Sequence, residues 1–156
     1  MRLDYITPIV ESAVSILTGF TGAPVAYGEM QLQRFSAASR DIVVVVGVSG
    51  EVAGRVVLEM DKAEAVALAG MMNHEKISTV TPLAQDTLME LGNMVVAKAV
   101  STLNDRGFEF SLSPPAVYTE ENRSLFVAID LETLVVPLTV AGIAMNLSFA
   151  LRMHPL

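Results

Sequence analysis

The stretch Thr81-Pro82-Leu83-Ala84-Gln85-Asp86-Thr87-Leu88-Met89-Glu90-Leu91-Gly92-Asn93-Met94-Val95-Val96-Ala97-Lys98-Ala99-Val100-Ser101-Thr102-Leu103-Asn104-Asp105-Arg106 reads as one long helix. Thr81 is suited to cap its N-terminus and Pro82 to fill its first position. Gly107 is suited to end it. Ala84, Leu88, Leu91, Val95, Ala99 and Leu103 recur at heptad-like spacing and form a stripe that needs a core to face. Asp86, Glu90 and Asn93 are spaced four and then three apart. At about 100° per residue they fall within about 60° of one another, so they make one polar edge away from the stripe. Gly92 and Ala97 are read as small residues beside that edge. Asn competes with the helix for backbone hydrogen bonds, and Gly costs roughly 1 kcal/mol against Ala in a helix interior. Their adjacency breaks local rules inside an otherwise consistent helix, which marks it as a candidate site; the plain alternative is that Glu90 and Asn93 are solvated and Gly92 eases helix packing.

Upstream, Met1 to Phe20 reads as a helix with Ile9, Ala13, Ile16, Leu17 and Phe20 on its apolar face, and Thr7-Pro8 repeats the Thr-Pro of the central helix. Val25 to Phe35 reads as a strand with one wet face. Ile42 to Val48 is apolar on both faces, which requires cover on both or use of its edge in assembly. Glu51 to Met60 returns after a turn at Ser49-Gly50, and Asp61-x2-Glu64 resembles a capping box for a spacer helix. Downstream, Phe108 to Ser113 alternates, Ala116 to Tyr118 resumes after Pro114-Pro115, and Ser124 to Leu131 alternates again. Pro137 is read as opening a last long strand, in which Ile143, Met145, Leu147, Phe149 and Leu151 alternate with small and polar residues.

The order is therefore helix and three strands, a spacer helix, then helix and three strands. Val52-Ala53-Gly54 and Val140-Ala141-Gly142 suggest a duplication with a period of about 88 residues. The expected architecture is a single α+β domain over 1–156. Its pseudo-repeat halves run about 1–60 and 81–152, joined by helix 61–73. Together they form one antiparallel sheet with the two long helices on one face, in two layers.

Composition limits the function. Hydrophobic residues make up 52% and charged residues 17%, with a formal net charge of −7 and a mean hydropathy of +0.50. The acidic balance disfavours nucleic acid and anionic lipid as partners. The apolar excess points to a buried sheet face or an oligomer interface. The absence of Cys excludes disulfide and thiolate chemistry. The two histidines, His74 and His154, have no second ligand at metal spacing, so no metal is expected on this chain. The run Thr133 to Leu151 carries no charge and approaches the length of a membrane span. It contains Pro137, Gly142, Asn146 and Ser148 and alternates as strands do. The N-terminal residues do not read as a signal peptide, and a cytoplasmic protein is expected.

Asp86-x3-Glu90-x2-Asn93, continued as Glu90-Leu91-Gly92-Asn93, resembles the Asp/Ser-x3-Glu-x2-Asn signature of the CheC/CheX/FliY phosphatases of bacterial chemotaxis. The resemblance covers nearly the whole chain. In the first helix Glu11-x2 lands on Val14, so only one copy is present, as in the CheX-like branch. The family fold is a pseudo-symmetric αβ domain, in agreement with the element order. The resemblance implies a homodimer with one site per subunit, and the Val43/Val45 face agrees with one. It implies a phosphatase acting on a phosphorylated CheY-like response regulator. Asn93 would align the hydrolytic water, since an amide can donate and accept at once but cannot titrate. Glu90 would pair with the regulator's active-site Lys, Asp86 would aid docking, and Gly92 and Ala97 would permit close approach. No cofactor is expected on this chain; Mg²⁺ is expected on the partner. Met94, Val95 and Val96 depart from the small residues that usually follow the Asn. The alternative is a non-enzymatic docking module for a response regulator or flagellar switch. A third reading is a structural dimer with a merely solvated helix edge.

Overall fold

A computed structural model describes residues 2–153. Helix α1 (Leu3–Thr21) is followed by strands β1 (Val25–Tyr27), β2 (Gln31–Gln33), β3 (Ile42–Gly50) and β4 (Val52–Met60). Helices α2 (Lys62–Asn73) and α3 (Pro82–Asp105) come next, then β5 (Phe110–Leu112), β6 (Ala116–Tyr118), β7 (Thr133–Val140) and β8 (Ile143–Met153). All paired strands are antiparallel and form one sheet in the order β1-β7-β8-β4-β3-β5, with β2 also on β7 and β6 also on β3. The middle of the sheet is the long β4–β8 pairing, from Val52 opposite Met153 to Glu59 opposite Asn146. This is the α+β, two-layer architecture expected from the sequence.

The helices lie on one face because each has an apolar stripe to bury. Leu17 of α1 and Leu88, Leu91 and Leu103 of α3 meet Val44 and Val46 of β3, Val56 and Leu58 of β4 and Leu147 and Phe149 of β8 in one core. Helices α1 and α3 are also tied directly: Ser12 Oγ donates to the Val95 carbonyl at 2.7 Å.

The opposite face of the sheet is covered from within the same chain. Val43 and Val57, which alternate with the helix-facing residues, pack with Phe126 in a second, smaller cluster, joined by Ala38, Val45 and Tyr118. The segments that carry Ala38 and Phe126 are bridged to each other by paired backbone bonds between Ser36 and Ile129. This corrects one argument for a dimer. The Val43/Val45 face is covered by Phe126 and its neighbours, so its apolar character does not call for a second copy.

The helix expected over residues 1–20 is α1, and Pro8 lies inside it. Four local readings are corrected. Residues 124–131 are not a strand. A 3₁₀ turn spans Arg123–Leu125, and the alternation reflects Phe126 turning inward while Leu125 and Val127 face solvent. Pro137 does not open the last strand but lies within β7. It accepts from the Gly28 N–H at 2.8 Å yet has no N–H to return. The pairing with β7 slips by one residue there, from Tyr27 opposite Leu138 to Gln31 opposite Val135. This bulge divides the expected 25–35 strand into β1 and β2. Finally, Val52-Ala53-Gly54 lies within β4, whereas Ala141-Gly142 is the β7–β8 turn, so the two triplets are not equivalent positions. The uncharged run 133–151 is this hairpin, and no helix among the described residues is long and apolar enough to cross a membrane.

Candidate functional site

Helix α3 is built as its sequence requires. The Thr81 side chain accepts from the Ala84 N–H at 3.1 Å, with Pro82 in the first turn. At the other end the Phe108 N–H bonds to Leu103 O and the Gly107 N–H to Asn104 O, both at 3.0 Å. Gly107 takes φ +93°, where a side chain would be strained. These caps fix a rod of 24 residues over the sheet.

Asp86 and Glu90 are exposed, and Asn93 and Ala97 are partly exposed. Among the described residues, the side chains of Asp86, Glu90 and Asn93 have no hydrogen-bond partner within the chain. None of them is in an ion pair either. Their carboxylates and amide are therefore available to an incoming molecule. The helix presents them along one edge, as the four-and-three spacing requires.

The reading of Gly92 as a partner-facing residue is corrected, and its alternative, a residue that eases helix packing, agrees with its position. Gly92 is buried, and a Cβ placed on it would lie 2.7 Å from Val44 Cγ1. One residue before Asn93 is about 100° round the helix, which turns Gly92 to the sheet and not to the polar edge. It cannot ease the approach of a partner at that edge. Ala97, four residues after Asn93, does lie along it.

The structure adds residues that the linear pattern did not bring together. Beside Glu90 is an open depression of about 320 Å³ lined by Phe20, Met72, Asn73, Asp86, Thr87, Glu90 and Met94. It is walled by the end of α1, the end of α2 and the first half of α3. Asn73 Nδ2 donates to Ala69 O at 2.9 Å and to Thr87 Oγ1 at 2.7 Å, which joins α2 to α3 one turn before Glu90. Thr87 Oγ1 in turn donates to Leu83 O at 2.9 Å. Nothing in the local sequence at Phe20 or Asn73 signals this, because the contact joins segments far apart in the chain. Met94, conspicuous in sequence for its bulk, forms part of the wall. His74 lies just beyond Asn73, exposed, with φ +54° at the end of α2; His154 lies outside the described residues.

A sequence model of the family described as "Chemotaxis phosphatase CheX" matches residues 42–139. The chain belongs to the CheX family. That match runs from the first residue of β3 to the next-to-last of β7 and includes the whole of α3. Solved CheX-like structures share the fold. A CheC-like superfamily protein from Shewanella sp. PV-4 superposes with a TM-score of 0.84 at 22% identity, covering 99% of this chain and 100% of that one. The chemotaxis protein CheX from Desulfovibrio desulfuricans gives 0.78 at 20% identity, with 95% and 99% covered. The CheX chain of a CheX–CheY–BeF3–Mg²⁺ complex from Borrelia burgdorferi gives 0.75 at 28% identity, with 97% and 99% covered. No curated protein matches the chain. The matched residues include α3, with Asp86, Glu90 and Asn93 on its exposed edge.

Proposed function

We propose that this CheX-family chain is a phosphatase that dephosphorylates a phosphorylated CheY-like response regulator and so ends a chemotaxis signal. The observation that carries the reading is the outward, unpartnered placement of Glu90 and Asn93 one turn apart on a capped, rigid helix. The complex of a related CheX with CheY from Borrelia burgdorferi supports the choice of partner.

The chemistry asked of the chain is modest. The regulator's aspartyl phosphate is a mixed anhydride, and its Mg²⁺ belongs to the regulator's own site. Asn93 enters that site and holds a water with its carboxamide, Oδ1 accepting a hydrogen bond from one water O–H while the water oxygen faces phosphorus. The water oxygen bonds to phosphorus and the acyl P–O bond breaks. The aspartate leaves as a carboxylate, and inorganic phosphate is released with the protons of water. Asn93 neither gains nor loses a proton. Glu90 pairs with the regulator's active-site Lys and sets the docking angle, and Asp86 and Ala97 lie along the same contact edge. A hundredfold acceleration corresponds to about 2.7 kcal/mol, within what orientation of a water supplies.

The chain acts in the cytoplasm as a homodimer in this reading. The exposed edge of the sheet at β1 and β2 supports the dimer, because it presents Tyr27, Met30, Leu32 and Phe35 to solvent beside unpaired strand backbone.

The test follows the decay of a purified receiver phosphorylated with acetyl phosphate, alone, with this chain and with Asn93→Ala. Faster decay with the wild type and unaided decay with Asn93→Ala, at equal binding of the beryllofluoride-treated receiver, is the expected outcome. Binding without any acceleration by the wild type would instead assign the chain to the docking modules.

A further inference from the structure

Gly92 and Asn93 are neighbours in sequence but face different worlds. Asn93 looks outward, whereas Gly92 lies against Val44 of β3. A Cβ at residue 92 would stand 2.7 Å from Val44 Cγ1, where ordinary contact begins at 3.4 Å. Val44 is poorly placed to yield. It is paired to Leu58 on one side and Val117 on the other, and it is β-branched, so its rotamer is restricted. The helix is the freer element. An apolar void of about 20 Å³ borders Gly92, Val44, Val46, Leu91 and Val95, so the packing beneath this turn is tight on one side and open on the other.

We infer that Gly92 is a positioning residue for the proposed phosphatase reaction: its missing side chain sets the depth at which α3 rests on β3, and with it the reach of Asn93. The inference rests on the phosphatase reading. Depth matters because α3 does not form the docking surface alone. Glu90 shares its depression with Phe20 of α1 and Asn73 of α2. A partner seated on Glu90 meets those walls too, so raising α3 moves Asn93 relative to the seat. Misplacement by about 1 Å is enough to cost on the order of a hundredfold in rate.

The experiment compares the wild type, Gly92→Ala, Val44→Ala and the Gly92→Ala/Val44→Ala pair, with Asn93→Ala as control. All act on one receiver phosphorylated with acetyl phosphate, with kcat and KM measured separately and a thermal midpoint for each. Gly92→Ala is expected to lower kcat by about tenfold or more with KM changed far less. Val44→Ala alone keeps most of the wild-type kcat, and the pair regains most of what Gly92→Ala loses, because the room lost at residue 92 is returned at residue 44. A purely structural role would lower the thermal midpoint without this split and without rescue. Val44→Ile, which adds bulk at the same contact and leaves α3 unchanged, is expected to repeat the kcat loss and serves if Gly92→Ala does not fold. Wild-type kcat in both Gly92→Ala and Val44→Ile overturns the inference, as does a folded pair that shows no rescue. If the wild type does not accelerate decay at all, the phosphatase reading fails and the inference falls with it; full activity of Gly92→Ala beside an inactive Asn93→Ala removes the inference alone.

Discussion

The guanidinium of Arg55 sits 4.1 Å from the centre of the Phe126 ring, on the face of the sheet turned away from the helices. Arg55 Nε also donates to Ser36 Oγ at 3.1 Å, and one terminal nitrogen donates to the carbonyls of Ser36 and Val127 at 3.0 and 2.9 Å. Burial draws its pKa below the ordinary value, but a guanidinium stays charged at neutral pH. One side chain on β4 thus pins both irregular segments over Val43 and Val57. Nearby, the buried Glu59 carboxylate accepts from Ser39 N at 2.7 Å and Ser39 Oγ at 3.1 Å, and it anchors the same first segment.

This cover is expected to be a large part of the stability of that face. Phe126→Ala removes a ring that packs on two buried valines and bares both. A loss of about 3 kcal/mol is expected, measured by urea unfolding. Dephosphorylation by the folded fraction should be unchanged, because the signature lies across the sheet. A loss below about 1 kcal/mol would mean that the segments hold without their anchor.

Glu90 and Asn93 should separate in their kinetics. Glu90→Gln removes a charge proposed to meet a lysine, so KM should rise about tenfold and the salt dependence of binding should weaken. Asn93→Ala should lower kcat by about a hundredfold with binding nearly intact. Equal effects of both substitutions on KM and kcat would contradict the division of labour.

The N-terminal cap of α3 is a test of the rod itself. Thr81→Ala deletes the acceptor for the Ala84 N–H and should cost about 1 kcal/mol in unfolding free energy. Thr81→Ser should restore most of it. The signature begins more than one turn away, so turnover per folded molecule should not change.

The edge strand tests the proposed dimer. Leu32 on β2 is 65% exposed beside Tyr27, Met30 and Phe35. Leu32→Lys places a charge where an edge-to-edge partner would pack and should convert a dimer to a monomer in size-exclusion chromatography at micromolar concentration. The thermal midpoint of the monomer should hardly move, since an exposed side chain contributes little within the subunit. A wild-type monomer would remove this assembly.

Much of the candidate site could be read along the chain. A helix repeats every 3.6 residues, so the spacing of Asp86, Glu90 and Asn93 by itself puts them on one edge, and the Thr-Pro start and Gly stop bound the rod that carries them. The partner-facing reading of Gly92 failed for the same reason in reverse: adjacency in sequence suggests adjacency in space, and on a helix it means the opposite. The strands were legible where alternation meets a continuous core, as in β3, β4 and β8. They were misread between residues 124 and 140, where alternation served a loop laid across the sheet and a proline sat within a bulged pairing.

The amino-acid order alone determined the helices, the long strands β3 and β4, the antiparallel α+β layering and the polar edge of α3, because capping, periodicity and hydrophobic pattern are local properties. Only the tertiary structure decided that Phe126 covers Val43, that Phe20 and Asn73 wall the space beside Glu90, and that Gly92 rests on Val44. Each of these joins segments distant in the chain, and such contacts are selected by the shape of the assembled core, which no local pattern records.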